Sequence, residues 1–243
     1  MTGCIAGTGG SGAGAPNLFA HGGGILDPAY ARQVQSAMGG PDAPLLIVPY
    51  SGEPEATAAA QFSATSALAF RNVLVLGISD PQTALERIAS ASGIWFAGGS
   101  QRRQVTTLAG VPGLVETLRA ANAAGTVVAG SSAGAAVMSQ LMISGGSGGD
   151  VFTRQGLGFW PEVVIDQHVA ERDRAYRLRR VIGDRPSLVG VGLDEATWVA
   201  RRDSAFDVFG RGVARVVTAG PDDVQELGLR AGDSFDIGAR ARV

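Results

Sequence analysis

Gly130, Ser132 and Gly134 stand in a Gly-x-Ser-x-Gly spacing within the stretch AGTVVAGSSAGAAVMSQL. Thr126 to Ala129 is an apolar, β-branched run suited to a buried strand, and Ala133 to Leu141 reads as a helix former. A strand turning this tightly into a helix strains the backbone of the central residue, and glycines on either side make room for it. The serine hydroxyl then stands exposed at the carboxyl edge of a sheet, with the first N–H groups of the helix close enough to hold an oxyanion. The competing reading is a small-residue turn in a chain with 36 glycines. The strand before Ser132 and the Ala-rich segment after it favour a nucleophile elbow.

A serine nucleophile needs a base, and the chain has two histidines. His168 ends the strand-like VVIDQH, crowded by Asp166, Gln167 and an Arg-rich segment, and is the stronger candidate. His21 lies in a Gly-rich loop at another strand end and could also face the site, whereas Gly22 to Gly24 read as a tight turn. The base in turn needs an acid to hold its tautomer. Glu195 ends LVGVGLDE, a costly place for an unpaired carboxylate. Asp194 points to the opposite face of a regular strand, so only one of the two reaches His168. Asp150, after SGGSGG, is the rival acid. Asp166 lies two residues from the histidine and can line the pocket without orienting the ring.

Composition limits the remaining chemistry. A chain of 243 residues suits one sizeable α/β core, and a net charge of −2 gives no electrostatic case for nucleic acid or an anionic membrane. No apolar run reaches membrane-spanning length. Every basic residue is arginine, which excludes Schiff-base lysines, a Ser–Lys dyad and a Walker-type phosphate lysine. A single cysteine excludes an internal disulfide and a multi-cysteine metal site, and two histidines are too few for a His-rich centre. No metal or cofactor is expected.

The elements that must position these residues alternate between strand and helix. Residues 1–16, MTGCIAGTGGSGAGAP, read as a flexible Gly-rich tail, and 17–243 as one α/β domain. Gly3-Cys4 also resembles the mature start of a bacterial lipoprotein. On the flexible-tail reading a cytoplasmic location is expected, with an exported lipoprotein as the alternative if Cys4 follows a signal peptide. Strands are predicted at Leu45 to Val48, Val73 to Leu76, Ile94 to Ala97, Val163 to Ile165 and Leu188 to Leu193. Helices are predicted at Pro28 to Met38, Glu55 to Phe70, Pro81 to Ala91 (capped by Asp80), from about Gln101, from Pro112, and at Arg172 to Ile182. Trp198 to Val217 alternates as antiparallel strands do. Repeated β-α units with short loops imply a three-layer, doubly wound, mostly parallel sheet whose strand carboxyl ends gather the site, with a short antiparallel C-terminal extension.

FAGGSQ (Phe96–Gln101), GSSAGAAVMS (Gly130–Ser139), GLGFWPEVVIDQHVAERDRAYRL (Gly156–Leu178) and VGVGLDEATWV (Val189–Val199) together resemble the serine peptidase family of cyanophycinase and aspartyl dipeptidase. The pattern DQH-x-x-x-R-x-R-x-x-R-L is far more specific than the elbow alone, and order and spacing look closest to cyanophycinase. The resemblance implies a class I glutamine amidotransferase-like, flavodoxin-like fold. It implies Ser132 as nucleophile, His168 as base and Glu195 as third member, with an oxyanion hole from the N–H groups of Gly99 and Ala133. Substrate positioning falls by the same resemblance on Gln101, Asp166, Gln167, Arg172, Arg174 and Arg177. The implied substrate is a peptide or a cyanophycin-like polymer, cut at an amide or isopeptide bond beside aspartate. Cyanophycinases lean towards a homodimer and dipeptidases towards a monomer.

Arginines suit a free substrate carboxylate, and Asp166 with Gln101 suits an ammonium. Arg174 and Arg177, three apart, share a helix face, while Arg172 suits a structural ion pair. Departures from the family pattern are Ser100 for Asp or Asn, His21 for an aliphatic residue, and Tyr50-Ser51 for Thr-Ala. These leave the chemistry intact and open the substrate to α-aspartyl or isoaspartyl dipeptides. Two other classes remain as alternatives: a serine esterase, which would need Asp150 because no histidine follows Glu195, and a non-catalytic small-molecule binder.

Overall fold

Short β-branched runs punctuated by Gly and Pro fold as the alternation predicts. In the computed structural model, which describes residues 14–147 and 149–243, strands β1 (Leu18–His21), β2 (Leu45–Val48), β3 (Val73–Val75), β4 (Gly93–Phe96) and β5 (Val127–Ser131) run parallel in the order β1-β5-β4-β2-β3. Helices α1 (Pro28–Ala37), α2 (Pro54–Ala67), α3 (Pro81–Ser90), α4 (Gln101–Ala109) and α5 (Leu114–Ala123) connect them. Asp80 caps α3 as expected, accepting from the Gln82 N–H at 3.1 Å, and proline opens α1, α2 and α3. The predicted tail up to residue 13, Cys4 included, lies outside the described residues.

The helix expected over Ala133 to Leu141 stops after one turn, α6 (Ala133–Ala136). Tertiary packing overrules its good helix-forming composition. α6 is wedged between β1, β4 and β5 on one side and β8 (Val163–Gln167) on the other, and all four of its residues are buried. Leu141 to Gly145 instead forms β6, paired antiparallel with the unanticipated β7 (Phe152–Gln155). β8 and β9 (Val189–Leu193) pair in parallel but stand outside the main sheet. They join β12 (Ala214–Ala219) and β13 (Val224–Leu229) in a second, four-stranded sheet. The predicted helix from Arg172 begins later, as α7 (Ala175–Asp184), and its apolar side (Leu178, Val181, Ile182) covers this second sheet.

The antiparallel extension is present. β10 (Thr197–Arg202) and β11 (Ala205–Gly210), followed by β14 (Ser234–Asp236) and β15 (Ala241–Arg242), lengthen the main sheet from β1 outward. Because β10 runs against β1, its amino end meets the carboxyl ends of the parallel strands: His21 pairs with Trp198 on one side and Ser131 on the other. That shared edge, facing the end of β8, carries the site. Among the described residues no helix is long and apolar enough to cross a membrane.

Candidate active site

Ser132 follows β5 with φ 55° and ψ −116°, the strained conformation that the spacing predicts. Its two glycines are sterically required. A Cβ on Gly130 would come within 2.6 Å of the Gly134 carbonyl oxygen, and one on Gly134 would overlap the Phe96 carbonyl. The buried Tyr30 hydroxyl supports the turn from below, accepting from the Gly130 N–H at 3.1 Å. Sequence reasoning missed Tyr30, since nothing in a helical tyrosine signals a distant contact.

The Ser132 Oγ lies 2.7 Å from His168 Nε2, and His168 Nδ1 lies 2.6 Å from Glu195 Oε1. The three expected residues therefore meet in one hydrogen-bonded chain, drawn from β5, the end of β8 and the turn between β9 and β10. His168 is buried and sits at φ 52°. Burial lowers its pKa, as do the Arg172 and Arg174 cations, while Glu195 pulls the other way through its hydrogen bond and its charge. A neutral imidazole beside a serine hydroxyl is the state that accepts a proton.

Glu195 was expected to be buried, yet its side chain is 37 % exposed. The chain leaves β9 at Leu193, and Asp194 takes the interior position instead. Asp194 accepts from the Ala170 and Val213 N–H groups at 3.1 Å and pairs with Arg215. These are its partners, and it makes no hydrogen bond to the imidazole. The Glu195 N–H is held by both oxygens of Glu171 at 3.2 Å, a contact no motif announced. Asp150 is exposed in the loop that joins β6 to β7 and is not the partner of His168.

Ala133 follows the serine and Gly99 follows Gly98, which stands beside Ser132; the N–H groups of Gly99 and Ala133 donate to no group among the described residues. Gly99 has φ +137°, and Ser51 buttresses its loop: the Ser51 hydroxyl donates to the Gly98 carbonyl at 2.6 Å, and its own carbonyl accepts the Ser100 N–H at 2.8 Å. Ser100 caps α4 through the Arg103 N–H. Gln101, at the first turn of α4, donates to the Ile143 carbonyl at 3.2 Å. The Tyr50 hydroxyl donates to the Leu76 carbonyl at 2.8 Å, which makes it a brace between strand ends.

The polar residues after β8 separate into an inner and an outer set. Asp166 and Arg177 are 1 % and 3 % exposed and face each other, Arg177 Nε lying 3.1 Å from Asp166 Oδ2 without the alignment of a hydrogen bond. Burial pushes the Asp166 carboxyl up to about 6 against the pull of Arg177. Direct reception of an ammonium by Asp166 and a shared outer grip by Arg174 and Arg177 do not fit this burial. Arg174 turns back to donate to the carbonyl and side-chain oxygens of buried Gln167 at 2.9 and 3.0 Å. Arg172 was expected in a structural ion pair; it is exposed and makes none among the described residues. His21 does not face the hydroxyl of Ser132. It is buried on the other side of β1, with the Tyr30 ring centroid 4.9 Å away and the Trp198 ring stacked at 6.0 Å.

The main-sheet fold recurs in a solved peptidase from an acI-B1 Actinobacterium. That structure is 22 % identical, superposes with a TM-score of 0.72, and the match covers 90 % of this chain and 96 % of that one. The cyanophycinase of Geminocystis herdmanii is 33 % identical over 80 % of this chain and 78 % of its own length. The cyanophycinase of Synechococcus elongatus is 32 % identical over 83 % and 67 %. The model of peptidase family S51 matches residues 29–209, a span that holds the elbow, the histidine and the glutamate. This chain belongs to that family of serine peptidases.

Proposed function

We propose that the chain hydrolyses amide or isopeptide bonds beside aspartyl residues, with Ser132 as nucleophile, His168 as general base and Glu195 as the acid that orients it. The observation that carries the reading is the unbroken chain of hydrogen bonds from the strained Ser132 through His168 to Glu195, at 2.7 and 2.6 Å. In this reading His168 Nε2 takes the hydroxyl proton as Ser132 Oγ attacks the substrate carbonyl. The N–H groups of Gly99 and Ala133 hold the resulting oxyanion. His168 then passes its proton to the leaving amine, and water releases the acyl group by the reverse sequence. The exposed Arg172 and the partly buried Arg174 supply positive charge near His168, which suits a substrate carboxylate. Asp166 and Arg177 act as a buried floor that fixes Gln167 and the start of α7.

The similarity to named cyanophycinases supports a β-aspartyl-arginine unit as the first substrate to try. Incubation with cyanophycin, β-Asp-Arg and α-Asp dipeptides, read by mass spectrometry, tests the reading alongside Ser132→Ala. Release of a product beside aspartate by the wild type, with loss of turnover on the order of a million-fold in Ser132→Ala, is expected. Ester cleavage with no cleavage of any aspartyl peptide would overturn the substrate; Ser132→Ala activity within tenfold of wild type would overturn the nucleophile.

A further inference from the structure

The main chain of His21–Gly24 bonds to Ser132, to His168 and to Ala196, the neighbour of Glu195. The His21 carbonyl accepts the Ser132 N–H at 2.9 Å, and the Gly22 carbonyl accepts the His168 N–H at 3.0 Å. The Gly23 carbonyl accepts the N–H of Ala196, next to Glu195, at 3.1 Å. Three successive carbonyls thus tie together three elements that come from different sheets and a turn. The same segment seats the relay side chains. Gly23 (φ +111°) lies so close to the His168 imidazole that a Cβ would overlap the ring, and a Cβ on Gly24 (φ +74°) would stand 2.6 Å from Glu195 Oε2. Both conformations are ones that L side chains rarely adopt.

We propose that His21–Gly24 is a clasp that sets the spacing of Ser132, His168 and Glu195, and that the His21 side chain is the positioning residue that locks it. The inference rests on the relay proposed above. The Gly23 N–H donates to His21 Nδ1 at 3.1 Å, and the Ser131 hydroxyl lies 3.2 Å from the same nitrogen. A main-chain N–H can only donate, so Nδ1 carries a lone pair and the imidazole is neutral with its proton on Nε2. Burial enforces that state, pushing the His21 pKa down to about 4. Among the described residues His21 Nε2 has no hydrogen-bond partner. An aliphatic side chain would suit this apolar wall of Tyr30 and Trp198 better than a half-satisfied imidazole, so packing alone does not account for histidine here. What the imidazole adds is an acceptor that fixes the Gly23 peptide plane, on which the His168 ring rests.

The variants His21→Asn, His21→Gln and His21→Leu separate positioning from packing. Asn can place an oxygen near the Nδ1 position and accept the Gly23 N–H; Gln carries its amide beyond that position, and Leu carries no acceptor. The readouts are the labelling rate of Ser132 by a fluorophosphonate probe, resolved into probe binding and chemical step, and the downfield proton resonance of the His168–Glu195 hydrogen bond. The chemical step is expected to fall about ten- to hundredfold in Gln and Leu, the scale of a small misplacement of reacting groups, with probe binding unchanged and the resonance lost or broadened. Asn is expected to stay within about threefold of wild type and keep the resonance. If Leu fails to fold, the Asn–Gln pair carries the comparison. Labelling of Gln within about twofold of wild type, or Asn as slow as Gln, would overturn the positioning role. Undiminished labelling of Ser132→Ala would instead overturn the relay itself.

Discussion

Glu195→Gln tests the acid of the relay with almost no change of shape. The carboxylate lies 2.6 Å from His168 Nδ1, and a charge-assisted bond of this kind contributes about 1.5–3 kcal/mol. The side chain is 37 % exposed, so water screens part of its charge, and about 2 kcal/mol is the fitting figure, roughly a 30-fold loss of rate. A second effect adds to it. The amide can turn its NH2 group towards Nδ1, which stabilises the tautomer that already carries a proton on Nε2 and cannot take the serine proton. At a buried triad this wrong tautomer brings the loss to about ten-thousandfold. A fall in the range of about 30- to 1,000-fold is therefore expected for the partly exposed Glu195. The assay is the fluorophosphonate labelling rate of Ser132 beside turnover of an aspartyl peptide, with Asp150→Asn as the control. The turn should survive, because Glu171 still holds the main-chain N–H of residue 195. Glu195→Gln within about threefold of wild type, or Asp150→Asn as the more damaged variant, would refute the assignment and give His168 a different orienting acid.

The acid limb of the labelling rate should have its midpoint below the ordinary histidine value, because burial lowers the His168 pKa and the base works only when neutral. Arg172→Gln removes a cation that helps depress this pKa, so the midpoint should move up, whereas Glu195→Gln should move it down; movement in the opposite directions would show that another group is titrating. Gly134→Ala should yield little folded protein, since its methyl would overlap the Phe96 carbonyl inside a wedged helix; a soluble, cooperatively melting variant with wild-type Tm would contradict the tight packing described for α6.

The five parallel strands, the capped helices and the Gly-x-Ser-x-Gly turn are legible in the chain because each is a local pattern: β-branched runs, a carboxylate before a helical stretch, glycines where a Cβ has no room. Ser132 could be picked out by its turn and His168 because the chain has two histidines, whereas Glu195 had Asp150 as a rival among 22 acidic residues and was implied as third member by the family resemblance. Their mutual distances could not be read that way. Periodicity reports which face of a segment is apolar, not which sheet will cover it. That is why β8 and β9 belong to a second sheet and why the segment after Ser132 leaves its helix after one turn. Charge is equally ambiguous in one dimension. Arg177 lies inside with Asp166 while Arg172 faces solvent, and Asp194 is buried while Glu195 is not. Such choices depend on which oppositely charged group or N–H arrives from elsewhere in the fold. The segment His21–Gly24 shows the limit most plainly: a candidate base and three glycines that spell a tight turn acquire main-chain bonds to Ser132, His168 and Ala196, beside Glu195, once β1, β8 and β10 converge on one edge.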